Sequence, residues 1–127
     1  MMATLATIQK RKEKREHELM STLPLALAGT QPLVSVIVPA YNEEINSVRT
    51  INSILVQDYP NLEIIFVDDG SNDSTYKTVK DYFKDHPQVK VITKTNGGKA
   101  SALNYGISHT DAEFAVCIDA DTQLKQD

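Results

Sequence analysis

Asp119 and Asp121 stand two positions apart, directly after the apolar run Val116-Cys117-Ile118. In an extended segment rising ~3.3 Å per residue, their side chains leave the same face about 6–7 Å apart. Two carboxylates so placed repel each other unless a divalent cation or a ligand hydroxyl comes between them. Hard oxygen ligands suit Mg2+ or Mn2+, and Mg2+ usually takes one or two protein carboxylates and leaves the rest to substrate phosphates. A lone D-x-D is also what a strand leaving the core toward water looks like, and the two residues by themselves leave both readings open.

Three other clusters carry chemistry. Asn96-Gly97-Gly98-Lys99 joins paired glycines, which permit close backbone approach, to a lysine at a helix start, where anions are favoured. Lys99 can meet a diphosphate, or it can be a solvated residue on an ordinary first turn. Asp68-Asp69-Gly70 is a turn signal, with Ser71 or Asp73 able to cap the next helix. One of its aspartates can also face a crevice and accept from a ribose hydroxyl or a base imide. Tyr41 offers a ring to a flat heterocycle beside Asn42, Glu43 and Glu44. The plainer reading has Asn42 capping a helix whose positive end the glutamates complement.

The elements that must position these groups alternate. "LVSVIVPA" (33–40), "NLEIIFVDDG" (61–70), "VKVITKT" (89–95) and "AEFAVCID" (112–119) read as strands. Between them, 45–57, 73–86 and 98–109 have helical periodicity, with Ile45, Val48, Ile51, Ile54 and Leu55 on one stripe. Val79, Tyr82 and Phe83 form a second stripe, and Ala102, Leu103 and Ile107 a third. Three strand–helix crossovers in succession predict an α/β, Rossmann-like, mainly parallel sheet with helices on both faces, and its strands are near-continuous apolar runs as burial on both faces requires. Every polar cluster then falls just past the carboxyl end of a strand, the edge where open α/β sheets bind ligands.

Composition narrows the function classes. The formal charge of −4 is uneven, because the first twenty residues are basic and the body is more acidic than the total. An acidic body excludes a nucleic-acid backbone as the natural partner and suits a divalent cation. Cys117 is the single cysteine, so no internal disulfide is possible. No apolar run approaches the ~20 residues of a membrane span. Residues 1–31 read as a basic helical arm and linker, helical by propensity across "IQKRKEKREHELM" and then broken by Pro24, Gly29 and Pro32. His17, His86 and His109 are scattered and read as surface residues. There is no Walker A spacing and no G-x-G-x-x-G after the first strand, which weighs against a dinucleotide oxidoreductase.

Taken in order, "VSVIVPAYNEE", "VDDGSNDST", "NGGKASALNYG" and "DADT" resemble the amino-terminal half of family-2 inverting glycosyltransferases with the GT-A fold. The third motif is closest to processive poly-N-acetylglucosamine, hyaluronan, chitin and cellulose synthases. The resemblance covers about residues 33–122. It implies Tyr41 near the uracil of a UDP-sugar, Glu43 close to the nucleotide, and Asp69 hydrogen-bonded to the uracil with Asp68 supporting that turn. It further implies Lys99 on the diphosphate, Asp119 toward the ribose and sugar, and Asp121, with Asp119, at a Mg2+ or Mn2+ site.

The same resemblance implies a glycan acceptor, and a parent whose catalytic domain lies on the cytoplasmic face of a membrane, attached through segments not in this chain. The family's general base lies downstream of the D-x-D, and Asp127 is too close to it to serve. The expectation is therefore that residues 32–127 are the nucleotide-sugar-binding part of a transferase, truncated after the D-x-D, with no catalytic base and no transfer activity of its own. Two alternatives share these residues. One is a non-catalytic nucleotide-sugar-binding module. The other is a sugar nucleotidyltransferase, which needs a Gly-rich basic loop where "PAYNEE" stands.

Overall fold

The computed structural model of the chain describes residues 5–9 and 31–121. The elements run β1 (Leu5–Gln9), β2 (Val34–Ala40), α1 (Ser47–Leu55), β3 (Leu62–Asp68), α2 (Thr75–Tyr82), β4 (Val89–Thr93), α3 (Lys99–Ile107) and β5 (Phe114–Ile118). They form one sheet in the order β1-β5-β2-β3-β4. The pairs β5–β2, β2–β3 and β3–β4 are parallel, as the crossovers predict. The chain steps outward from β2 to β3 to β4, then returns across the sheet to β5 on the other side of β2. That reversal puts the topological switch point between the carboxyl ends of β2 and β5.

Alternation along the central strands divides the core in two. Val36, Val38, Ile64, Phe66 and Ile118 face α1 and α2, meeting Ile51, Ile54, Val79 and Phe83. Ile37, Ile65, Val67 and Ala115 face α3 and meet Ala102. Each large side chain buried in this way contributes roughly 1.5–3 kcal/mol. All seven residues of β2 are buried, which explains their continuous apolar run. Helix α3 comes close to the sheet because residue 106 is glycine. A Cβ there would lie 2.6 Å from Ile37 Cγ2 and 3.0 Å from Val67 Cγ2.

The β2–β5 ladder ends early. Its last pair is Ile37 with Cys117, whereas β2 continues beside β3 as far as Ala40. Val34 donates toward β3, to the Asn61 carbonyl, and the Ala40 carbonyl accepts from Asp69 N–H on that same side. Odd-numbered positions of β2 therefore face β5, and the residue that would extend the ladder is Pro39, which has no N–H.

Three expectations are corrected. Leu5–Gln9, within the segment read as a helical arm, is a strand paired antiparallel with β5 in the register Leu5–Ile118 to Gln9–Phe114. Thr7 and Ile8 favour strand, and an uncovered β5 edge gives them a ladder to join; the tertiary partner outweighs helix propensity. Residues 10–30 of the arm lie outside the described residues. Ile45 precedes α1 and is exposed, because the helix begins only at Ser47. Tyr82 is exposed too, since Val79 and Phe83 fill the α2 stripe between them. Among the described residues, no helix is long and apolar enough to cross a membrane.

Gly106→Ala tests the α3 contact. Neither Ile37 nor Val67 has room to give, so the methyl should destabilise the chain by about 1–3 kcal/mol. Urea unfolding should show a lower midpoint at unchanged slope, and an unchanged midpoint would refute the close approach.

Candidate functional site

A cleft of about 300 Å³ opens at the switch point. The end of β2 supplies Pro39, Ala40, Tyr41 and Glu43, and the end of β5 supplies Asp119, Ala120 and Asp121. Asp69 reaches it from the loop after β3, and Lys99 from the first turn of α3. Of the site residues expected from sequence, only Asp68 is outside the lining. It is buried beneath the turn, where Oδ2 accepts from Thr93 Oγ1 at 2.7 Å and Oδ1 from Ser71 N at 3.3 Å.

Asp69 is 4% exposed, and its carboxylate is held by the next loop. Gly97 N donates to Oδ1 at 3.0 Å and Gly98 N donates to Oδ2 at 2.8 Å. Lys94 Nζ sits 3.3 Å from Oδ1 and also donates to the Thr95 carbonyl at 2.6 Å. Asn96 Nδ2 donates to the Asp69 carbonyl at 2.9 Å. The Gly-Gly amides that a sequence reading offers to an anion are thus directed onto a carboxylate of the protein itself. Two glycines make the fit possible. Gly98 has φ +98°, and a Cβ on Gly70, at φ +70°, would lie 2.6 Å from Asn96 N.

The first loop is stitched to the second. Asn42, at φ +53°, does not cap α1, whose N-cap is Asn46. Its N–H donates to Ser71 Oγ and its Oδ1 accepts from Asn72 N, each at 2.8 Å. Glu43 N donates to Thr75 Oγ1 at 2.9 Å, and Glu44 Oε1 accepts from Ser74 N at 2.9 Å. Tyr41 stays exposed, its hydroxyl accepting from Asn72 Nδ2 at 3.1 Å. The acidic tip is tied differently: the buried Thr50 of α1 donates through Oγ1 to the Ala120 carbonyl at 2.6 Å, fixing the residue between the two aspartates.

Lys99 Nζ lies 2.5 Å from Asp119 Oδ1. The Asp119 hydrogen bond holds the ammonium above the ordinary lysine range, against a smaller opposing effect of burial. Burial pushes the Cys117 thiol up, with Lys99 acting in the other direction and Asp119 adding to the rise. The cleft lining thus bears four carboxylates and one ammonium. Among the described residues, no group of three or more His, Cys, Asp or Glu side chains is placed to hold a metal ion. Sequence reading missed Lys94 and Thr50. A lysine directly past a strand end has no distinguishing pattern, whereas Thr50, four residues before Ile54 on the helix, is at least a sign of a polar group on a buried face.

Two predictions follow from this geometry. Asp69→Asn keeps the shape but turns an NH2 toward groups that need an acceptor. Losing a charged, buried acceptor costs about 1–3 kcal/mol, so Gly97 and Gly98 amides should exchange with solvent roughly tenfold to a hundredfold faster by NMR. Unchanged exchange would show that the loop does not depend on Asp69. The raised, buried Cys117 thiol should resist iodoacetamide at pH 8 in buffer and react once urea unfolds the chain. Fast native labelling would contradict that burial.

Residues 35–127 match the family described as Glycosyl transferase family 2. The chain is 39% identical over 94 residues to a poly-beta-1,6-N-acetyl-D-glucosamine synthase of Staphylococcus epidermidis, covering 74% of this chain and 23% of that protein. It is 32% identical over 123 residues to a chondroitin synthase of Pasteurella multocida, covering 95% of this chain and 13% of that protein. It therefore spans a quarter or less of the length of these relatives. Among solved structures, a Pyrobaculum calidifontis mannosyltransferase in complex with GDP-Man and Mn2+ superposes with a TM-score of 0.68 at 37% identity, covering 75% of this chain and 29% of that one. S. aureus TarS in complex with UDP-GlcNAc superposes with a TM-score of 0.63 at 34% identity, covering 70% and 26%. The chain belongs to glycosyltransferase family 2, and its sheet is that of the GT-A glycosyltransferases.

Proposed function

We propose that this chain is the donor-binding part of an inverting glycosyltransferase, taking a UDP-sugar together with Mg2+ or Mn2+. The observation that carries this reading is one cleft at the switch point, lined by Asp69, Asp119, Asp121, Glu43 and Lys99. A diphosphate cannot enter so acidic a cleft without added positive charge, and hard carboxylate oxygens fit Mg2+ or Mn2+ with phosphates as the remaining ligands. Similarity to proteins solved with UDP-GlcNAc and with GDP-Man and Mn2+ supports a nucleotide-sugar donor.

In this reading Tyr41 lays its ring along the base, and Asp69, its oxygens already met by Gly97, Gly98 and Lys94, holds the loop wall that the base edge lies against. Asp119 faces the ribose and sugar. Lys99 meets the diphosphate and stabilises charge developing on it as the sugar departs. Asp121 and Asp119 would hold the cation, which would supply positive charge to offset that of the diphosphate. The acceptor hydroxyl of a glycan attacks the anomeric carbon from the opposite face, and the base that takes its proton belongs to a larger protein.

Amide NMR spectra titrated with UDP and Mg2+, together and separately, test the reading. Signals of Tyr41, Asp69, Lys99 and Asp121 should move with both ligands present. Asp121→Asn should weaken the Mg2+-dependent part by about tenfold or more, the loss typical of a compromised metal site. A spectrum indifferent to UDP and Mg2+ together would overturn the proposal.

A further inference from the structure

The acids of the cleft are not equivalent. Asp69 spends both oxygens on the Gly97–Gly98 loop, and Glu43 Oε1 accepts from Asn46 Nδ2 at 3.1 Å. Those contacts belong to the framework. Asp119 is held instead by the end of a long, mobile side chain, Lys99, at 2.5 Å. The side chains of the two partners are 61% and 36% exposed, so they can part without any unfolding. They are also the two groups whose charges suit opposite ligands, Asp119 a divalent cation and Lys99 a diphosphate.

We infer that the Lys99–Asp119 pair is an internal latch that makes cation and nucleotide binding depend on each other. The inference rests on the donor-binding reading above and adds a property to it. A cation arriving alone must compete with Lys99 for Asp119 and sit beside its positive charge. A diphosphate arriving alone must compete with Asp119 for Lys99 and meet its negative charge. When both arrive, Lys99 passes to phosphate and Asp119 to the cation, and the lost pair is replaced on both sides. The coupling is reciprocal: whatever factor the cation adds to nucleotide affinity, the nucleotide adds to cation affinity. An ion pair this exposed is worth about a two- to fivefold change in an equilibrium constant, which sets the size of the effect.

The test uses the purified chain with Mn2+ alone, followed by electron paramagnetic resonance of the free ion, and UDP alone in chelator, followed by ligand-observed NMR. Lys99→Gln should tighten Mn2+ alone by about two- to fivefold, and Asp119→Asn should tighten UDP without metal by a similar factor. The double variant separates the pair from the general field of the cleft. The gain from Asp119→Asn should shrink at least twofold in the Lys99→Gln background. An equal gain in both backgrounds, or single variants that leave the lone-ligand affinities unmoved, would overturn the latch while leaving donor binding intact. Wild-type chain that takes up no UDP even with excess Mn2+ would bring down the donor-binding reading and the latch together.

Discussion

A carboxylate almost shut off from water must be met by donors, and Asp69 is such a group. Much of the site follows from how that demand is satisfied. The donors are the backbone of Gly97 and Gly98, so the loop after β4 must fold back onto the turn after β3. Gly70 and Gly98 adopt positive φ as the two loops come together, and the Gly70 position tolerates no Cβ against Asn96. Helix α3 begins at Lys99, immediately after the clamped glycines. The position of the one cleft-lining ammonium is therefore a consequence of where a neighbouring acid is neutralised.

The other loops are tied by the same kind of local exchange. Asn42 and Asn72 bind the first loop to the second, and Thr50 binds the β5 tip to α1. What results is a rim held mostly by backbone and short side chains, with Lys94 and Glu44 adding to it, while Lys99 lines the cleft. The framework is fixed by contacts with low conformational freedom, whereas Lys99 keeps its freedom and can exchange partners. This division suits the proposed donor site, which would admit a large charged molecule and later release part of it.

The sheet was legible because burial on both faces leaves a strong mark. Runs such as EIIFV and FAVCI admit few other readings, and the strand ends put the polar clusters on one edge. The cleft residues were legible as types at strand ends, but their partners were not. Asp69 reads equally well as a ligand acceptor or as a structural brace until the path of the Gly-Gly loop is known. Asn42 looks like a helix cap by residue type, yet its αL backbone turns it toward the second loop. The strand at Leu5–Gln9 was illegible for a different reason. Five residues take their conformation from a ladder partner more than a hundred positions away, and the strand preference of Thr7 and Ile8 is too short a signal to name that partner.

Pro39 has a consequence for how the cleft persists. Parallel strands side by side tend to go on pairing while each can offer the other a donor. At the position where β2 would next reach toward β5, the ring nitrogen has nothing to give. The two strands stop pairing after Ile37 and Cys117, and the residues just beyond, Pro39 and Ala40 on one strand and Asp119 to Asp121 on the other, line the cleft. The crevice is thus open by covalent structure, as a zipper stops at a missing tooth. A stop set by a missing donor is written into the chain itself, so this part of the ordering cost of making room for a guest is met in folding.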